Sequence, residues 1–298
     1  MKKTKGIILA LLSSGTFGLI AFFSIPLLKA GVHTPSILFY RSLLAAILLG
    51  TICLIRKKDF RIPPKTAIQL FVMGMLYTIT AMGLIYSYTY ISSGVSTTLH
   101  FLYPIVVSCL MIIFYKEKKS LTLFIAAVTS LVGVGLLCWS DNGFISTRGL
   151  FIVLITVFTY AVYIVNLGRP VFKKLEPEVL MFYVMLFGAF MFSIYASFTT
   201  GIEILPDRNA WLNIVGLVLF ATVLSGLSLI TAVKYAGSTI TSILGSMEPV
   251  VATIVGIFYF HESFGWNSFA GLVLIIASVI LVVMMNNKRE KKGQIITD

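Results

Sequence analysis

The sequence predicts an all-α polytopic membrane protein: ten transmembrane helices in two inverted five-helix repeats, with the N- and C-termini cytoplasmic. Three observations carry that prediction. The chain of 298 residues is 58% hydrophobic and 11% charged, with mean hydropathy +0.99, whereas a soluble domain carries roughly 25% charged residues. Its basic residues fall in short clusters between apolar runs. Two stretches, "TTLHFLYPIVVSCLMIIFYKE" from Thr97 to Glu117 and "SILGSMEPVVATIVGIFYFHE" from Ser242 to Glu262, match at an offset of 145 and each place a proline thirteen residues before a glutamate. A chain this apolar has the bilayer as its solvent. The net charge of +12 would point to nucleic acid only as one patch on a soluble fold, and it is not one patch.

The N-terminal "MKKTKGIILALLSSGTFGLIAFF" has an apolar run longer than the core of a secretion signal, about 7–15 residues, and lacks a small-x-small cleavage site, so it reads as a retained first helix. Spans of about 20 apolar residues cross hydrocarbon as helices, which satisfy every backbone group internally. By that rule the spans are expected near 6–28, 34–55, 67–87, 93–115, 120–139, 149–168, 178–199, 211–233, 238–260 and 264–286. Basic residues favour the cytoplasmic side. With the N-terminus inside, 19 of the 23 Lys and Arg fall on inner segments, Lys29, Arg148 and Arg208 fall on outer ones, and Arg41 lies within the second span. Trp139, Trp211 and Trp266 then mark outer span ends, as an interfacial aromatic belt does. Cys53, Cys109 and Cys138 lie in apolar runs without metal-ligand spacing and read as packing residues.

Five spans per unit is an odd number, so a second copy must enter the membrane inverted. Residues 1–145 form the first repeat, 146–287 the second, and 288–298 a cytoplasmic basic tail. Pro104 pairs with Pro249, Glu117 with Glu262, Ser93 with Ser238, Thr97 with Ser242 and Ser108 with Thr253. Inverted repeats characterise secondary transporters, whose substrate sites lie near the midplane where the repeats meet.

The fourth span presents Ser93, Thr97, His100, Pro104, Ser108 and Met111 on one face, and the ninth presents Ser238, Ser242, Gly245, Glu248 with Pro249, and Ala252. Such stripes face other helices or a wet cavity. Each proline frees a carbonyl four residues earlier, on His100 and Gly245, making Pro104, Pro249 and Gly245 candidate kink or gating positions. Glu248 lies about 15 Å into its span at 1.5 Å per residue. A charge there costs on the order of 3 kcal/mol. Burial favours its neutral form and a neighbouring cation its charged form, so proton carrier, ligand for a substrate amine and kink-fixing carboxyl all stay open. Arg41 has three readings: binding a substrate carboxylate, a structural ion pair, or snorkelling to the outer surface. His100 is either a proton relay or a hydrogen-bonded structural histidine. Tyr103 takes the place of Glu248 in the first repeat, as a stacking or hydrogen-bonding wall. Ser14 and Thr16 read as glue between helices.

The sequence has no HExxH, no GxSxG, no phosphate loop and no Cys/His cluster, so no catalytic residue, enzyme activity, metal or cofactor is expected. Few cations lie within the membrane, which disfavours doubly charged phosphates.

"LGSMEPVVATIVGIFYFHESFGWNSFAGLVLIIASVILV", "LHFLYPIVVSCLMIIFYKEKKSLTLFIAAVTSLVGVGLL" and "LFYRSLLAAILL" together resemble EamA-type members of the drug/metabolite transporter superfamily. That resemblance covers the whole chain and implies ten helices in two inverted halves and export or exchange of small metabolites, often amino acids. The four-helix relatives carry a proton-binding glutamate in their first helix. This chain has no acid there, so that mechanism does not transfer by position. The expected function is a secondary transporter of small polar or amphipathic metabolites, an exporter working by alternating access in a bacterial cytoplasmic membrane, as a monomer or homodimer, with no nucleic-acid partner. Arg41, His100, Tyr103 and Glu248 would bind substrate, and Glu248 would couple protons. Uniport, exchange or import is the alternative mechanism, and lipid handling the alternative of another class.

Overall fold

The computed structural model describes residues 2–87, 90, 96, 99–117, 120–137, 146–260 and 265–295. Among them every regular element is helical. The helices are α1 (Lys2–Phe17), α2 (Ile20–Lys29), α3 (Thr34–Ile55), α4 (Pro64–Ser87), α5 (Tyr103–Tyr115), α6 (Leu121–Leu137), α7 (Thr147–Leu167) and the short α8 (Pro170–Lys174). Then come α9 (Pro177–Ser197), α10 (Arg208–Val218), a π-helical turn Leu219–Leu224, α11 (Ser225–Ala236), α12 (Ser238–Leu244), α13 (Met247–Phe260) and α14 (Trp266–Ile295). Among the described residues, six helical stretches are long and apolar enough to cross a bilayer: Lys2–Lys29, Thr34–Ile55, Pro64–Ser87, Thr147–Leu167, Pro177–Ser197 and Arg208–Ala236. Tyr103–Tyr115, Leu121–Leu136 and Phe269–Val282 are shorter apolar helices. Large apolar side chains such as Ile47, Phe158, Phe190 and Phe258 point outward, as lipid-facing residues do.

Three expected spans are not continuous. The first breaks at Gly18–Leu19, whose residues form a turn between α1 and α2. The ninth breaks at Gly245–Ser246, and in the fourth a turn at Phe101–Leu102 precedes α5. Pro104 and Pro249 therefore sit in the first turns of α5 and α13, where a missing N–H costs nothing. They start helices rather than kink them. The eighth span carries the π turn in its middle. The tenth continues as helix to Ile295, over most of what the sequence reads as a tail. Ser93, Thr97, Trp139 and Glu262 lie outside the described residues.

Four interfaces dominate the packing: α3 on α9, α6 on α14, α1 on α11 and α4 on α7. The α3–α9 pair is antiparallel, clamped at both ends. At one end His33 meets Glu203 at 2.6 Å; at the other Arg56 meets Glu178 at 3.1 Å and Lys58 meets Glu176 at 3.3 Å. Lipid offers no hydrophobic drive between helices, so small residues and hydroxyls make the contacts. A Cβ on Gly133 of α6 would lie 2.9 Å from the Gly271 carbonyl of α14. The Thr80 and Thr159 hydroxyls lie 2.7 Å apart between α4 and α7. Ser225 of α11 donates to the Ser13 carbonyl of α1 at 3.0 Å. Each such bond contributes about 0.6 kcal/mol. Ser14 and Thr16, expected to join helices, donate instead to carbonyls of their own helix, Ala10 at 2.9 Å and Leu12 at 2.8 Å. Gly237, with φ +87°, hands α11 to α12 in a conformation that other residues resist.

Candidate functional site

The interruptions converge on one central cavity. Its walls come from α1 (Ser13, Ser14, Phe17), α3 (Arg41), α4 (Tyr77), the start of α5 (Tyr103), α7 (Tyr160, Tyr163), the π turn and α11 (Thr222, Ser225), and the broken ninth span (Thr241, Gly245, Glu248). Gly18, at the break in the first span, packs so closely on the ninth that an added Cβ would lie 2.6 Å from the Glu248 carbonyl.

Arg41 is held from behind. A π turn widens the helix so that carbonyls normally committed to the i+4 amide become available. The Thr222 hydroxyl donates to the Leu217 carbonyl at 2.8 Å, and Arg41 Nε donates to the Thr222 oxygen at 2.7 Å. Arg41 Nη2 donates to the Ala221 carbonyl at 3.3 Å, and the guanidinium lies 5.7 Å from the Phe17 ring. Arg41 is 5% exposed, which corrects the snorkelling alternative. Among the described residues no ion pair joins it to Glu248. Both face the cavity, and the carboxylate lies within electrostatic reach of Arg41, Tyr103 and Tyr160.

Tyr103 and Gly245 make the crossing between the two broken helices. The Tyr103 hydroxyl donates to the Ser242 carbonyl at 3.2 Å, and a Cβ on Gly245 would sit 2.1 Å from that hydroxyl oxygen. Only glycine lets the ring pass. The Gly245 carbonyl, expected to be freed by Pro249, accepts instead from the Glu248 amide at 3.0 Å. His100 is not on the cavity wall. It is 7% exposed and bonded through Nδ1 to the Thr156 hydroxyl at 2.9 Å. Its ring packs behind Tyr103 and Tyr160, at 5.5 and 5.4 Å between centroids.

Sequence reasoning missed Thr222, Ala221, Thr241 and three of the four tyrosines. Tyr160 and Tyr163 carried a usable signal: "FTYAVYIV" sets two tyrosines three apart, on one helical face, mid-span. Outside the membrane, the His33 amide donates to the Glu203 carboxylate at 2.7 Å and the His33 ring reaches it at 2.6 Å. These bonds hold the Glu203 carboxyl below its ordinary range.

The sequence profile of the EamA-like transporter family matches residues 4–139 and again 147–284. The chain belongs to the EamA-like transporter family. It is thus a member of the drug/metabolite transporter superfamily and a multi-pass membrane protein, whose partners are a small-molecule substrate and the bilayer. It is similar to an uncharacterized transporter of Archaeoglobus fulgidus, 25% identical over 284 residues, covering 94% of this chain and 98% of that protein. It is also similar to the uncharacterized transporter YdfC of Bacillus subtilis, 25% identical over 203 residues, covering 67% of this chain and 66% of that one. A solved crystal structure superposes with TM-score 0.82 at 13% identity, covering 96% of this chain and 99% of the other. At that identity the likeness speaks for the shared fold.

Proposed function

We propose that this EamA-family chain is a secondary transporter that exports small metabolites, amino acids or related polar and amphipathic compounds, by alternating access through the central cavity. Glu248 carries the coupled proton. The observation that carries the reading is that Arg41 and Glu248, the two charged side chains lining the cavity among the described residues, come from opposite halves of the chain. Arg41 and Glu248 read the charge of the substrate, Tyr103 and His100 shape and back the wall, and Pro104, Pro249 and Gly245 set the hinge points.

The proposal includes ten spans in two inverted halves, residues 1–145 and 146–287. The family profile falling once on each half supports it. The packing supports it too. Exchanging spans between halves turns the α1–α11 contact into the α7–α4 contact, while α3–α9 and α6–α14 map onto themselves, and all four are the major interfaces. Charge supports an orientation with Arg56, Lys58 and both termini cytoplasmic, in a bacterial cytoplasmic membrane, with the basic stretch 288–298 on that side.

The test uses purified protein in liposomes holding a pH-sensitive dye, challenged with amino acids, nucleosides and amines, with wild type and Glu248→Gln side by side. A substrate-dependent proton flux, lost in Glu248→Gln, is expected. Solute movement without proton flux, undiminished in the variant, refutes coupling and makes the protein a facilitator. No movement of any solute by folded, reconstituted protein refutes transport.

A further inference from the structure

The break in the first span has a second consequence, on the outside of the molecule. Before the turn at Gly18–Leu19, α1 packs on the ninth span; after it, α2 leans on α10 and touches α13 less than α1 does. A groove of about 320 Å³ opens between them. Phe22 and Phe23 of α2, Phe220 of the π turn, and Ile254, Val255 and Phe258 of α13 line it. Its walls are fixed by ring contacts. Phe22 meets Tyr259 edge to face at 4.6 Å, and Phe23 stacks on Phe220 at 6.2 Å. Phe23 is seated on Gly216, where an added Cβ would lie 2.2 Å from the ring. The Tyr259 hydroxyl aside, every side chain on the wall is hydrocarbon.

Size and chemistry narrow the occupant. One helical turn, about 10–12 Å across and 5.4 Å long, takes roughly 400 Å³ or more, so no helix fits. A held water needs about two to four polar partners, and the wall offers one side-chain hydroxyl. Left empty, the groove forfeits the dispersion contacts of its lining. Phe220, Ile254 and Phe258 are exposed, which in a multi-pass protein means exposed to hydrocarbon. The ten residues of α2 rise about 15 Å, half of a hydrocarbon core of about 30 Å. The groove therefore follows one leaflet, from the break at Gly18–Leu19 towards Lys29 at the end of α2.

We propose that this groove is a phospholipid site: one acyl chain of a bilayer phospholipid lies along it, against Phe22, Phe23, Phe220 and Val255, and stays with the protein when the surrounding lipids exchange. The chain is recognised by the shape of the groove, and the headgroup is not the selecting element. The lipid packs against three of the irregular elements at once, the Gly18–Leu19 break, the π turn and α13, and steadies them. The inference goes beyond the transporter reading and does not depend on it.

The test is native mass spectrometry of the full chain, delipidated in detergent and titrated with palmitoyl-oleoyl phosphatidylglycerol, its one-chain lyso form, and glycerol 3-phosphate. Wild type is expected to retain one phospholipid at the lowest lipid ratios, to hold the lyso form within about tenfold of it, and to ignore glycerol 3-phosphate. Val255→Trp, which fills the groove, should weaken retention about tenfold or more. Phe258→Ala trims the exposed rim without disturbing buried packing, and should weaken it about threefold. Ile47→Trp, on an exposed face of α3 away from the groove, should change nothing. Added phospholipid should raise the melting temperature of wild type and Ile47→Trp but not of Val255→Trp. No phospholipid retained by folded wild type overturns the proposal, as does retention unchanged in both Val255→Trp and Phe258→Ala. So does displacement of the lipid by glycerol 3-phosphate, which would make the site a headgroup site. Loss in Val255→Trp of a second copy of the chain, with lipid retained, would assign the groove to self-association and overturn it too.

Discussion

Thr222→Val removes the oxygen that Arg41 Nε donates to at 2.7 Å while keeping the branched shape of the side chain. The bond is charge-assisted and buried, so its loss costs about 1.5–3 kcal/mol. The Thr222 hydroxyl also satisfies the Leu217 carbonyl across the π turn at 2.8 Å, which adds about 0.5–1.5 kcal/mol. The clean measurement is a double-mutant cycle with Arg41→Lys, because lysine keeps the charge and lacks the Nε–H. Substrate affinity and thermal stability are read for wild type, each single variant and the pair. The Arg41→Lys background should absorb most of the effect of Thr222→Val, giving a coupling of about 1–2 kcal/mol, within the range seen for residues in contact. Thr222→Ser, which restores the acceptor, should return most of the loss. Strictly additive effects in the cycle would refute the assignment of Thr222 as the group that positions Arg41.

Gly245→Ala drives a methyl into the Tyr103 hydroxyl and should destabilise by about 1–3 kcal/mol, as overpacking does. Tyr103→Phe removes the nearest atom, leaving the Ser242 carbonyl at 2.9 Å and ring carbon Cζ at 3.4 Å, so the double variant should recover part of the loss and melt above Gly245→Ala alone; an unchanged melting point in Gly245→Ala refutes the crossing. Gly133→Val should separate α6 from α14, with a faster rate of proteolysis in detergent, since even its Cβ falls within 2.9 Å of a backbone oxygen. The Glu203 carboxyl has a lowered folded pKa, so its contribution to stability is full above the unfolded value of about 4.3 and is lost as pH falls through the lower folded one. The melting difference between wild type and Glu203→Gln should therefore hold from pH 7 to pH 5 and close below about pH 4. A gap that closes between pH 7 and 5 assigns it to another group. Because the Glu203 side chain is only partly buried, the gap should also shrink in high salt.

Much of the fold is legible because bilayer thickness sets helix length. The second span is expected at residues 34–55 and the helix runs Thr34–Ile55; Pro35 starts it, and Arg56 with Lys57 and Lys58 ends it in water. Breaks inside apolar runs are less legible. Gly18 and Leu19 resemble any other pair in the first span, and "LFATVL" has nothing in its composition that asks for a π turn. Both interruptions coincide with partners distant in sequence: the ninth span packs against Gly18, and Arg41 bonds to Thr222. The same holds for the site. Glu248 and Arg41 stand out because a charge within a span is expensive. Thr241 and Tyr163 do not, because threonine and tyrosine are unremarkable in a membrane helix until their neighbours are known. His100 stands out equally, yet its partner, Thr156, lies behind the wall.

The anchor for Arg41 is synthesised 181 residues after it. At about 5–20 residues per second, the second span waits roughly 10–35 s in the membrane before Thr222 emerges. During that interval a guanidinium meant for a closed interior has to rest against lipid headgroups or water, and α3 stands without α9. Chains cut short before the π turn keep that unshielded charge for good. Arg41 is thus a mark of incompleteness on the nascent protein, one that assembly of the eighth span erases.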